Sequence, residues 1–202
     1  MAELAGVSVV VKAGGTPLTL TDETTAAVVA NKSYQIVATT KRVIDWLTAV
    51  VVEDGGATTT EEYTVNYLNG TITFTDTASR GAITVSGKYV PMSVVAYGTD
   101  SSSNAECDVV EYPEYGVTYK RRLPLFKYAS GTLVNFNVVD TFFVPILNSN
   151  LPVVLEWVAD SGIEPDRYLA FLTNIADALP ASGMEQRTIG WVSTDQFIQL
   201  GV

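Results

Sequence analysis

The 202-residue chain contains no histidine and a single cysteine. Without imidazole there is no Ser-His-Asp or Cys-His catalytic set, no imidazole metal site and no histidine acid or base. One cysteine, Cys107, can neither close an internal disulfide nor build a zinc site, which excludes a cysteine-rich secreted scaffold. Its place in an alternating run predicts a buried small residue. Charged residues are scarce, 17% of the chain against about 25% in an average globular protein. Apolar content, at 47%, is ordinary. That combination fits either an outer surface covered by partners or simply a Val- and Thr-rich β-protein. The glycines stand in pairs or alone, with no P-loop and no dinucleotide fingerprint. A glycosidase-like carboxylate pair could be drawn from the 22 acids only arbitrarily. The chain therefore reads as no enzyme, with no catalytic residue, no cofactor and no metal site.

Apolar runs are strand-sized, and Met1 to Val11 lacks the basic start of a signal peptide, so neither a membrane span nor a leader is expected. The chain reads as soluble protein made in a cytoplasm. Twelve basic against 22 acidic residues give a formal charge of −10. Phosphate contacts need clustered lysine and arginine, so this balance argues against a general nucleic-acid binder. No repeat of fixed period occurs, which excludes solenoids and propellers.

Alternating apolar residues dominate what is present. Val7, Val9 and Val11, then Gly14-Gly15, then Leu18 and Leu20 predict an opening hairpin. Asp22 to Ala30 reads as short helix or irregular chain, Ser33 to Ala38 as strand, and Ala49 to Glu53 as strand stopped by Asp54-Gly55-Gly56. Tyr63, Val65 and Tyr67 alternate with Thr64 and Asn66, and Asn69-Gly70 offers two positive-φ turn positions before Ile72 and Phe74. This is the clearest hairpin in the chain. A strand over Ala82 to Val90 precedes Pro91, and the polar run Gly98 to Asn104 reads as hairpin loop or linker. These features divide the chain into a β-rich block over 1–93 and a second β domain over 94–202.

The second domain is organised around residues 106–139. Cys107 and Val109 alternate with Glu106 and Asp108; later Val134, Phe136 and Val138 alternate with Asn135 and Asn137. Two half-buried strands are expected there. Between them lie about twenty residues, longer than the usual connection in a compact domain. They carry Tyr112, Tyr115, Tyr119, Leu123, Leu125, Phe126 and Tyr128, too much apolar surface for a loop that stays solvated. After them, Asp140 can cap a helix of about two turns bounded by Pro152, and strands follow at Val153 to Val158, Arg167 to Ile175 and Gln186 to Ser193.

This order of features resembles the tail tube protein of long-tailed bacteriophages. It comprises an acidic strand ending in DVVEY, a Gly-containing turn, the basic stretch YKRRLPLFK, Ser130-Gly131 opening a strand, the helical DTFFVPILNS, and the strands VVLEWV, RYLAFLTNIA and RTIGWVST. The resemblance covers roughly residues 94 to 200, and the block before it departs from the simplest members. It implies a mainly β subunit of two packed antiparallel sheets, sandwich or partial barrel, with one short α-helix. Six copies would close a ring, their strands joining in one continuous barrel, and rings would stack with other tail proteins into a virion tube assembled in the host cytoplasm. Genomic DNA would pass through without specific binding, for which an acidic wall suits better than a basic one.

Under that resemblance the loop residues Tyr119, Lys120, Arg121, Arg122, Leu123, Leu125, Phe126 and Lys127 would contact a neighbouring subunit. Aromatic and arginine side chains are frequent interface anchors. The three consecutive cations read equally as a solvated charge run. Glu106, Asp108, Glu111 and Glu156 would line the lumen, or simply face water on a monomer. Trp46, Trp157 and Trp191 are assigned to packing. The alternative class is a binding module, an Ig-like or carbohydrate-recognising β-sandwich using the tyrosines between 112 and 128.

Overall fold

A computed structural model describes residues 9–112, 121–138, 143–159, 165–178 and 186–198. The chain is mainly β, with two antiparallel sheets, one of them closed into a barrel, and one short helix. It divides into two compact units, Met1–Lys12 with Val94–Val202, and Ala13–Ser93. This division differs from a block over 1–93 at its start. The first strand, β1 (Val9–Gly14), begins in the unit built by the later sequence.

Ala13–Ser93 contains β2 (Leu18–Val29), β3 (Ser33–Ile36), β4 (Val51–Asp54), β5 (Ala57–Thr58), β6 (Tyr63–Asn66), β7 (Thr71–Phe74) and β8 (Ile83–Tyr89). They form a sheet in the order β5-β4-β8-β2-β3-β7-β6. Period-two alternation turns Ile72 and Phe74 of β7 and Ile83 and Val85 of β8 inward, where they join Leu20, Tyr34, Ile36, Ile44 and Val52 in one core. The sheet is not flat. Tyr63 on β6 donates its hydroxyl to the carbonyl of Val50, just before β4, at 3.1 Å. Those strands stand five places apart in the order, about 24 Å in a flat sheet at ~4.8 Å per strand. The sheet therefore curls round its own core. Arg80 holds the seam: its guanidinium sits 3.6 Å from the Phe74 ring centroid and pairs with Glu61, Asp76 and, at 3.8 Å, Asp54.

Three local expectations change in this unit. Asp22 to Ala30 is neither helical nor irregular but mostly strand β2. A register shift between Leu20 and Glu23, with Asp22 at φ 45°, interrupts the alternation and conceals its period. Gly14-Gly15 does not turn a hairpin, because β1 and β2 belong to different sheets; the Gly15 N–H instead donates to the Pro91 carbonyl at 2.9 Å. The β6–β7 hairpin is present, but Asn66 pairs with Thr71, so the loop has four residues rather than two. Only Gly70 adopts positive φ, 67°. The Asn69 side chain caps the turn by accepting the Thr71 N–H at 3.0 Å.

Gly70 also has no room for a side chain. A Cβ there would lie 2.9 Å from the carbonyl oxygen of Arg42 and 3.0 Å from its Cα. We expect Gly70→Ala to destabilise this unit by about 2 kcal/mol, the left-handed cost of ~1–2 kcal/mol per residue plus that crowding. Urea unfolding of the variant measures it, and a loss under about 0.5 kcal/mol, the range of neutral surface substitutions, would contradict the stated geometry.

The second unit closes β1 with β9 (Met92–Tyr112), β10 (Arg121–Val138), β11 (Val153–Ala159), β12 (Asp166–Ala178) and β13 (Gln186–Ile198). The barrel runs β1-β11-β12-β13-β10-β9 and returns to β1. Over the barrel itself, closure within one chain already removes the edges that six copies were expected to remove together. Rings from three strands converge in its core: Trp157, Tyr168 and Trp191 have centroids 4.8–5.1 Å apart. Trp157 and Trp191 are buried, whereas Trp46 in the other unit is half-buried. The helix, α1 (Phe143–Ser149), is two turns long, carries Pro145 in its first turn and ends at Asn150, φ 53°, ahead of Pro152. The expected cap, Asp140, lies outside the described residues.

Gly98 to Asn104, expected as loop or linker, runs through the middle of β9. Its small residues match what they face. Ser102 Oγ and Thr132 Oγ1 are 2.9 Å apart across the ladder. At Gly131 a Cβ would overlap the Ser102 carbonyl oxygen and lie 2.9 Å from both the Ser102 carbonyl carbon and Trp191 Cζ2.

Candidate functional site

The long loop expected between two strands is largely strand itself. β9 and β10 pair from Ala96↔Val138 to Tyr112↔Arg121, so the connection narrows to 113–120, outside the described residues. The ladder of β10 with β13 is much shorter and stops at Ser130↔Val192. One residue on, the hydroxyl of Ser193 accepts the Ala129 N–H at 2.8 Å, standing in for the missing strand partner. Beyond that fork Glu106–Tyr112 and Arg121–Tyr128 form a two-stranded ribbon. Between Pro124 and Lys127 the ribbon has a register shift, and Pro124 brings no backbone donor.

The ribbon carries apolar side chains into solvent on both faces. Val109 and Val110 are neighbours and so point to opposite sides, yet they are 53% and 45% exposed; Leu123, opposite Val110, is 53% exposed. Cys107 is exposed rather than buried, because the strand that holds it has left the barrel. Alternation puts Glu106 and Asp108 on the Val110 side and Glu111 on the Cys107 and Val109 side, so the three exposed acids do not share one wall. Glu106 accepts the Tyr128 hydroxyl and the Asn104 side-chain amide, both at 2.5 Å. That hydrogen bond to a carboxylate, with the carboxylate's charge, raises the Tyr128 phenol above its usual pKa. Arg122 stands directly opposite Glu111 in the same ribbon. A base and an acid are thus register partners within one chain at this position.

Of the other expected contact residues, Tyr119 and Lys120 lie outside the described residues. Arg121, Arg122, Leu125, Phe126 and Lys127 are placed by backbone in β10, and their side chains lie outside the described set. Leu123 is the one whose exposure is described.

Glu156 departs from the expectation of a lumen-facing acid. It is 2% exposed, with Lys12 Nζ at 2.7 Å and Arg167 Nε at 2.6 Å on its two carboxylate oxygens. Glu156 and Arg167 are register partners on β11 and β12, and Lys12 reaches in from β1. Its neighbours in VVLEWV held the signal: an acid inside a continuous apolar run is buried and must be paired. Val109 has the alternation of an ordinary strand residue and carries no sign of a contact surface. Nothing local marks where a strand leaves its sheet.

No family model matches the chain, and no curated protein does. Solved structures similar to it include two gene transfer agent particles. One is the tail of an empty gene transfer agent (GTA) particle with C6 symmetry, at TM-score 0.47 and 10% identity over 55% of this chain and 87% of that one. The other is the virion of a native gene transfer agent particle, at TM-score 0.46 and 10% identity over 52% of this chain and 86% of that one.

Proposed function

We propose that the chain is a structural, non-catalytic subunit of a phage-like tail tube, polymerising in stacked hexameric rings within a virion and meeting other tail proteins at the tube ends. The observation that carries this reading is the ribbon, which extends past its own barrel and holds Val109, Val110 and Leu123 in water on both faces. Apolar residues displayed in that way gain from burial against another surface, about 25 cal/mol for each Å² removed from water. A ribbon on one copy seated against a different surface on the next makes a heterologous contact, which closes by rotation into a ring and repeats along the axis into a tube. Residues 1–12 and 94–202 carry fourteen of the 22 acids and only seven of the twelve bases. A unit with that net excess would repel phosphate and leave passing DNA mobile.

Electron microscopy of the purified chain at rising concentration tests the reading. Rings or tubes of uniform width are expected, and dispersed monomers that bind glycans would favour a carbohydrate-recognising module instead. Deleting residues 117–127 should leave the circular dichroism and the unfolding midpoint of the barrel near those of the parent while polymerisation is lost. A deletion variant that still forms ordinary tubes removes the ribbon from the mechanism.

A further inference from the structure

The barrel order makes β9 the neighbour of β1, yet some eighty residues separate them in sequence. In an antiparallel barrel such neighbours need only a short turn. Everything between them forms the curled sheet, which meets each requirement of a free-standing fold on its own. Its buried apolar residues, from Leu20 to Val85, all lie within Ala13–Ser93. One end strand, β6, is brought back to β4, next to the other end, by the Tyr63–Val50 hydrogen bond, and Arg80 ties Asp54 of β4 to Glu61 and Asp76, so the sheet closes on its own core. Its entrance and exit are zipped together: Gly15 N–H donates to the Pro91 carbonyl at 2.9 Å, Leu18 pairs with Tyr89, and Ile44 bridges to Tyr89. At about 80 residues it exceeds the ~55–65 at which many domains fold alone. An insert whose ends already meet adds little closure cost to its host.

We infer that residues 15–91 are an autonomous module inserted in the β1–β9 turn, folding and unfolding without reference to the barrel that carries it. The inference stands apart from tube assembly, since it concerns one chain. It is tested on the full, unassembled chain by hydrogen exchange across a urea series. The slowest amides of β7 and β8 should fall on one urea isotherm and those of β11 and β13 on another. Gly70→Ala should speed the first set about tenfold or more and leave the second within about twofold, because separate cooperative units open separately. Two isotherms, or a shared one that splits on this substitution, uphold autonomy. A single isotherm that stays common to both sets in the Gly70→Ala chain overturns it.

Discussion

Gly131→Ala should cost the barrel about 4 kcal/mol or more, in the range reserved for overpacking or lost core features. The glycine's φ is not in the left-handed region, so the penalty comes from neighbours. A Cβ would press on the Ser102 carbonyl of β9 on one side and on the buried Trp191 ring on the other. Backbone in the middle of a ladder cannot step aside, and Trp191 is held by Trp157 and Tyr168. Gly190→Ala is the matched control. A Cβ there meets Asn174 Oδ1 and Thr173 Oγ1, ends of side chains on exposed positions that can rotate away. Urea unfolding followed by near-ultraviolet circular dichroism of the tryptophans should therefore separate the two variants by at least about 2 kcal/mol, the gap between an overpacked core and an adjustable surface. Equal midpoints would mean that β9 does not press on β10 as described.

Glu156→Ala should be nearly as damaging, about 3–5 kcal/mol, because it withdraws the carboxylate that Lys12 and Arg167 share and takes that charge partner from a buried guanidinium. Lys12 is a third exposed and can redirect its ammonium to water; Arg167, at 8%, has less freedom. The double variant Glu156→Met with Arg167→Met should recover most of the loss, since replacing both members of a buried pair by apolar groups of similar volume is often neutral. If the double variant is as unstable as the single one, the carboxylate acts through something other than charge compensation. A lumen-facing acid would give the opposite result, with Glu156→Ala within about 0.5 kcal/mol of the parent.

Alternation carried most of the fold. The strands at Ser33–Ile36, Val51–Asp54, Tyr63–Asn66, Thr71–Phe74, Ile83–Tyr89 and Val153–Ala159, and the two-turn helix before Pro152, were legible because each has its own period or punctuation. What failed was information that lies elsewhere in the chain. Gly14-Gly15 has good turn chemistry, but β1 pairs with β11, well over a hundred residues away. Asp100, the following serines and Asn104 favour loops by themselves, and β10 overrides that preference by presenting Gly131 and Thr132 opposite them. The site suffered the same way. Leu123 is recognisable as apolar surface in a polar setting, whereas Val109 and Cys107 alternate like a half-buried strand, and only the end of the β13 ladder at Ser130 shows otherwise. Glu156 differs from the strand acids it is grouped with, since a carboxylate between Leu155 and Trp157 needs a buried partner.

Pro124 and the register shift beside it bear on how the molecule waits. A freely extended ribbon rich in valine and leucine is the kind of segment that nucleates fibres, since its unused backbone groups invite any passing strand to add on. Here the outer rim is broken at mid-length by a residue with no hydrogen to offer and by an offset that spoils the repeat. Recognition is thereby left to side chains, which tell partners apart, and withheld from main chain, which does not. A stored sample should show a long lag in thioflavin fluorescence that shortens when Pro124 is replaced by valine.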